Sequence, residues 1–329
     1  MVSPPAEPER RTIAPSDPRT LANWPYVVAL ALIVAGFSVL NPMLLIFVPV
    51  GFMLVALEPR KPWLMFAGVV LLATTFTGAP DDTAGILWWY SRGWALIVSG
   101  WFVIAIALMP EARLFSRSLA AVAGAVASTG VLFLANRGGW IQLDWAVGRQ
   151  LRNTAADVTT FWAGRVEAQA WAADLSSAIY RFADFQASTY PAMLAVATLA
   201  GLALAWWLWR RLSVQERNPF GPLREFRFRD ELVWLVVVGA ALVVLPLGVA
   251  ATRTGTNLLL FMAALYAMRG FAVILALFGS PSVLGAAFGV LLFLMLYPIV
   301  MATTLMVGLT DTWLDLRARR LTRQDNEKH

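Results

Sequence analysis

Lipid offers backbone N–H and C=O groups no partner, so a chain made of bilayer-length apolar runs must satisfy them within helices or a closed barrel. This chain carries such runs in series, over residues 24–57, 62–79, 86–109, 114–135, 191–209, 232–251, 257–278 and 283–309. Each reads as helix, since about 20 apolar residues at 1.5 Å per residue span a layer of about 30 Å. The balance of 59% apolar to 14% charged residues is one that no soluble domain can bury. The expected fold class is all-α: a polytopic transmembrane helical bundle of about 8–10 membrane segments, some short or re-entrant, with one extracytoplasmic amphipathic helical segment.

Prolines refine the runs. Asn41-Pro42 divides 24–57 into two short helices in a tight hairpin, because one helix over that run would be about 51 Å long. Pro298 lies inside 283–309 and predicts a broken or re-entrant pair there. Arg60/Lys61, Arg113/Arg117 and the cluster from Arg210 to Arg229 fall on one side and Asp81-Asp82 on the other, which puts the N-terminus in the cytoplasm. The expected organisation is a disordered cytoplasmic tail over 1–23, transmembrane helices over 24–135, an extracytoplasmic amphipathic segment over 136–190, transmembrane helices over 191–316 and a basic cytoplasmic tail over 317–329. The 136–190 segment alternates charge with Val158, Trp162, Val166, Leu175, Ile179 and Phe182 at helical spacing. It is either a lid over an outward cavity or a connecting helix resting on headgroups, anchored by Trp140, Trp145, Trp162 and Trp171.

Composition removes much chemistry. There is no Cys, the single His is His329, and Lys occurs only at Lys61 and Lys328 with no preceding Gly. Thiolate zinc sites, iron–sulfur clusters, Ser-His-Asp triads and phosphate-loop ATPases are therefore excluded. No catalytic site, cofactor or metal is expected, and the chain is expected not to be an enzyme. The positive balance of +6 is explained by membrane orientation rather than by nucleic acid.

Arg269 lies about 18 Å along a helix counted from Asn257, near the middle of the hydrocarbon layer. An Arg there costs about 2.5–3.5 kcal/mol on insertion scales and needs water or a counter-charge. One reading is an anion site, with Tyr266 on the same face and Asn257 near its entrance. The other is a structural ion pair with Asp311, Asp230 or Glu231. Arg92, in an aromatic belt, is expected to snorkel to the interface. Asp311 and Asp315 are expected to form end-of-helix pairs with Arg319. In the loop before Leu232, Phe226, Arg227, Phe228 and Arg229 interleave rings with cations, a pattern for a partner or anionic lipid contact.

From Tyr190 onward the chain resembles the YybS-like family of uncharacterised bacterial polytopic membrane proteins. The resemblance is carried by Tyr190-Pro191-Ala192, Phe226-Arg227-Phe228 leading to Asp230-Glu231-Leu232-Val233-Trp234, Asn257-Leu258-Leu259-Leu260, Tyr266 with Gly270, and Gly308 to Trp313. It implies a multi-pass protein of the bacterial inner membrane and, by overall pattern, a likeness to the substrate-binding S components of energy-coupling-factor transporters. Two functions stay open. One is transport-type binding of a small anionic molecule without an ATPase of its own; the other is a membrane scaffold or assembly factor recruiting a cytoplasmic or membrane partner through the Arg/Phe loop.

Overall fold

The computed structural model describes residues 24–78, 84–163, 169–213, 226–278, 285, 289 and 295–314. The expected 1–23 tail, Asp81-Asp82, the loop over 214–225, most of the first half of the 283–309 run, Asp315 and the basic tail lie outside the described residues. So does the Trp171 side chain.

Among the described residues the chain forms ten α-helices and one 3-10 turn, without a strand. The hairpin at Asn41-Pro42 comprises α1 (Trp24–Phe37) and α2 (Leu44–Leu57). Asn41 Oδ1 accepts from the Met43 N–H at 3.1 Å and so turns the chain into α2. Next comes α3 (Pro62–Thr75), which opens on a proline whose missing N–H is no loss in a first turn. The long helices are α4 (Ala84–Leu108), α5 (Leu114–Ala135), α6 (Arg137–Ala163) and α7 (Gln169–Ser213). After the 3-10 turn Asp230–Leu232 come α8 (Val233–Val244), α9 (Val249–Phe278) and α10 (Tyr297–Leu314). Four of these, α4, α5, α7 and α9, are long and apolar enough to cross a membrane.

The hub is α7, which packs against α1, α2, α5, α6 and α9. Its apolar window is 72% buried, against 22% for that of α5, so α7 faces protein where α5 faces outward. The main core joins Met53, Val98, Phe102, Leu202, Ala205 and Trp206. The small-residue spacing around Gly201 serves this packing: a Cβ there would lie 2.7 Å from the Leu45 carbonyl oxygen.

Three helices depart from the boundaries expected from sequence. The 232–251 run ends early because Pro246 cannot continue α8 and Gly248 takes a left-handed φ of 94°. Helix α9 then starts at Val249, well before Asn257, so Thr252–Thr256 are helical rather than a loop. The hydroxyls of Thr252, Thr254 and Thr256 donate to the carbonyls of Gly248, Ala250 and Thr252, which spares them a search for water. Likewise, α7 continues through Tyr190-Pro191 instead of starting a new helix there. The break in the last apolar run does coincide with Pro298, which is the second residue of α10.

Candidate functional site

Cations near the helix ends of this fold cap backbone carbonyls. Each helix end or break strands carbonyls that water would otherwise satisfy. Arg92 Nε donates to the Thr75 carbonyl at 2.5 Å, at the C-terminus of α3, and its guanidinium sits 3.6 Å from the Trp88 ring centroid. Arg92 is therefore tucked inward rather than snorkelling, being only 8% exposed. Arg117 donates to Met109 and Pro110 at the end of α4. Lys61 Nζ donates to Ser213 at the end of α7, at 2.6 Å. Sequence reading assigned Arg117 and Lys61 to orientation alone. Basic residues adjoining helix ends were the available signal.

Arg269 belongs to the same pattern. Gly270 and Gly308 bring α9 and α10 into backbone contact: a Cβ on Gly270 would lie 1.7 Å from the Thr304 carbonyl oxygen. That approach sets Arg269 Nε 3.0 Å from Asp311 Oδ2, with Nη2 donating to the Asp311 carbonyl at 3.3 Å. Nη1 reaches Asp230 Oδ1 at 2.6 Å. The Phe228 ring lies 5.3 Å from the guanidinium and 5.2 Å from the Tyr266 ring, closing the site. Arg269 is fully buried, and α9 starting at Val249 puts it about 30 Å along the helix. It is thus level with the 3-10 turn at the start of α8, about two-thirds of the way along α9. Glu231 is absent from this cluster; it pairs with Arg229 at 3.3 Å. A hydrogen bond to its own backbone N–H, then the Arg229 guanidinium, hold its carboxyl below the ordinary range. Asp311, in the last described turn of α10, points into the protein toward Arg269, while Asp315 and Arg319 lie outside the described residues.

The expected site residues are not brought together. Tyr266 and Arg269 share a face, but Asn257 works elsewhere, on α7. Pro191 has no N–H for the Ala187 carbonyl, and the ladder lapses there. Asn257 Oδ1 accepts from the Ala192 N–H at 3.0 Å, its Nδ2 donates to the Ser188 carbonyl at 2.9 Å, and Arg253 Nη2 donates to the Ala187 carbonyl at 3.0 Å. Two side chains of α9 thereby mend the break and keep α7 continuous. In the Arg/Phe segment Phe228 is buried, Phe226 packs edge-on to Phe115 at 4.8 Å and Arg227 lies 3.6 Å from Asp230, so the two rings join the core while Arg227 and Arg229 stay exposed.

An open cleft of about 620 Å³ lies where α6 crosses α7 and α9. On α6, Asp144, Gly148 and Arg152 form one row and Trp145, Arg149 and Asn153 the next, both at i,i+4 spacing. Asp184, Ala187 and Ser188 of α7 and Arg253 of α9 complete the lining. Arg253 grips Asp144 with both terminal nitrogens, at 2.5 and 3.0 Å. Arg152 meets Asp184 at 3.0 Å with both side chains more than half exposed. Trp140, expected at the headgroups, instead stacks on Tyr190 at 5.9 Å and forms the floor under Arg253. Trp145 and Trp162 are exposed as an anchoring role requires. Sequence reading missed this cleft because its lining comes from three helices, and its charges looked like a solvated amphipathic face.

A family profile described as "Predicted membrane protein (DUF2232)" matches residues 26–312. No curated protein and no solved structure matches the chain.

Proposed function

The chain belongs to the predicted membrane protein family DUF2232, and from that premise we propose that it is a non-enzymatic, transport-type binding component of the bacterial inner membrane whose ligand site is the α6–α7–α9 cleft. The observation that carries this reading is the double duty of Arg253. It lines the cleft with its side chain 29% exposed, and it holds the Ala187 and Ser188 carbonyls at the Pro191 break. A ligand that competes for Arg253 acts directly on the hub helix. The cleft volume falls within the range of about 300–1,000 Å³ usual for small-molecule sites. Positive-inside bias, with the N-terminus cytoplasmic, turns the cleft outward. The landmarks Tyr190-Pro191-Ala192 and Asn257 are the parts that build the break beside it. Lacking a phosphate loop, the protein would draw energy from an ion gradient or a partner complex. Arg269, with three of its donors taken and no exposure, is a structural residue in this reading.

The test is thermal stabilisation of the purified protein by a panel of small anions, zwitterions and vitamins, because a ligand of the native state stabilises by RT ln(1 + [L]/Kd). Gly148 lines the cleft, and a Cβ there meets nothing within 4 Å, so Gly148→Leu fills the space without straining the fold. At least one compound should stabilise the wild type and not Gly148→Leu. Equal stabilisation of both, or none of either, would overturn the proposal.

A further inference from the structure

The charges of the cleft are unequal in how tightly they are held. Asp144 is committed to Arg253 through two hydrogen bonds in a partly buried pair. The Arg152–Asp184 contact is exposed on both sides, the kind of pair that water and other anions displace readily. Arg149 rests 5.1 Å from the Trp145 ring centroid and, among the described residues, has no carboxylate partner. Three guanidiniums against two carboxylates leave the lining one positive charge in excess.

Arg149 and Arg152 are three residues apart on α6, so their planar forks neighbour one another on the same helix face. A carboxylate has only two oxygens, which one guanidinium engages fully. A phosphate group has further oxygens for a second, and Asn153 in the same lining adds a neutral donor. We propose that the cleft binds a phosphate group, held between Arg149 and Arg152 beside the neutral Arg253–Asp144 pair. This rests on the cleft being the ligand site and goes further by naming the ligand's chemistry. The phosphate belongs either to a lipid headgroup or to a soluble ester. Exposed Ile141, Trp145 and Phe161 on α6, with Phe182 and Phe185 on α7, keep the surrounding helices at headgroup level, where both are within reach.

The full chain in detergent is titrated with inorganic phosphate, with sulfate, with acetate and with the zwitterion glycine, and thermal stability is followed. In parallel, phosphatidylglycerol and phosphatidylcholine are titrated and bound lipid is counted by native mass spectrometry. Phosphate or phosphatidylglycerol is expected to saturate, and Arg149→Gln and Arg152→Gln should each weaken it about tenfold, the loss of one charge-assisted contact. Arg181→Gln, which lies outside the cleft lining, should bind as the wild type does. Saturation by phosphate assigns a soluble ester, and saturation by phosphatidylglycerol alone assigns a headgroup. If neither saturates, or if both Arg variants bind unchanged, the inference is wrong. Stabilisation by acetate or glycine, lost in Gly148→Leu while phosphate has no effect, would refute the phosphate while leaving the cleft as the ligand site.

Discussion

Replacing Arg269 with Met removes the guanidinium that Asp311 and Asp230 share, while Asp230 keeps Arg227 at 3.6 Å. Asp311 is 1% exposed and would keep its desolvated carboxylate with the α9 guanidinium gone. Asp230 is 44% exposed on its side chain and can turn to water. Removing one partner of a buried pair costs about 3–5 kcal/mol, and the escape open to Asp230 favours the lower end, about 3 kcal/mol. At roughly 2–4 °C per kcal/mol for a larger domain, the apparent Tm should fall by about 6–12 °C. Arg269→Met combined with Asp311→Leu removes the buried carboxylate that faced Arg269 as well and should regain part of the loss. The assay is heating in detergent followed by fluorescence-detected size exclusion of the single and double variants. A single variant within about 1 kcal/mol of wild type, or a double variant no better than the single, would refute the view that this cluster is structural.

The Gly270–Thr304 crossing predicts a graded response. Gly270→Ala must push α9 and α10 apart by more than 1 Å, since its Cβ would stand 1.7 Å from a backbone oxygen that cannot rotate away. Expression of folded protein should drop, whereas Gly148→Ala, in open space, should leave it unchanged. At the α7 break, Asn257→Leu leaves the Ala192 N–H without its acceptor and the Ser188 carbonyl with Arg253 alone, and about 1–3 kcal/mol of stability should be lost. Pro191→Ala in that background restores the helical donor to Ala187 and should recover part of it, read as Tm. If Pro191→Ala gives no recovery, Asn257 is doing something other than mending the ladder.

The fold class was legible because lipid enforces it: long apolar runs leave the backbone little choice but helix, and Asn41-Pro42 marks a hairpin in any solvent. What sequence could not show was how polar atoms are satisfied inside that fold. Thr252–Thr256 looked like a loop because five polar or small residues in a row break an apolar run, yet their hydroxyls turn back on α9's own carbonyls. Pro191 looked like a helix start because the side chains that complete its ladder come from α9, far along the chain. Arg269 was recognised as needing a counter-charge, and Asp311 and Asp230 were among its candidate partners. Its distance along α9 came out too short, because the helix starts at Val249 rather than at Asn257. The charges at 144, 149, 152 and 253 drew no attention singly, since only the crossing of three helices gathers them into a cleft.

The central claim is that the water-accessible polar site of this protein is the α6–α7–α9 cleft, while the surroundings of Arg269 are dry. With no native Cys, single introduced cysteines report on this without background. Asn153→Cys, in the cleft lining, and Met262→Cys, 1% exposed in the cluster around Tyr266, are treated in intact membranes with a membrane-impermeant maleimide. The account predicts rapid labelling at 153, slowed when the cleft is occupied, and none at 262 until the protein is denatured. Labelling at 262 in the folded protein with 153 unreactive would contradict it.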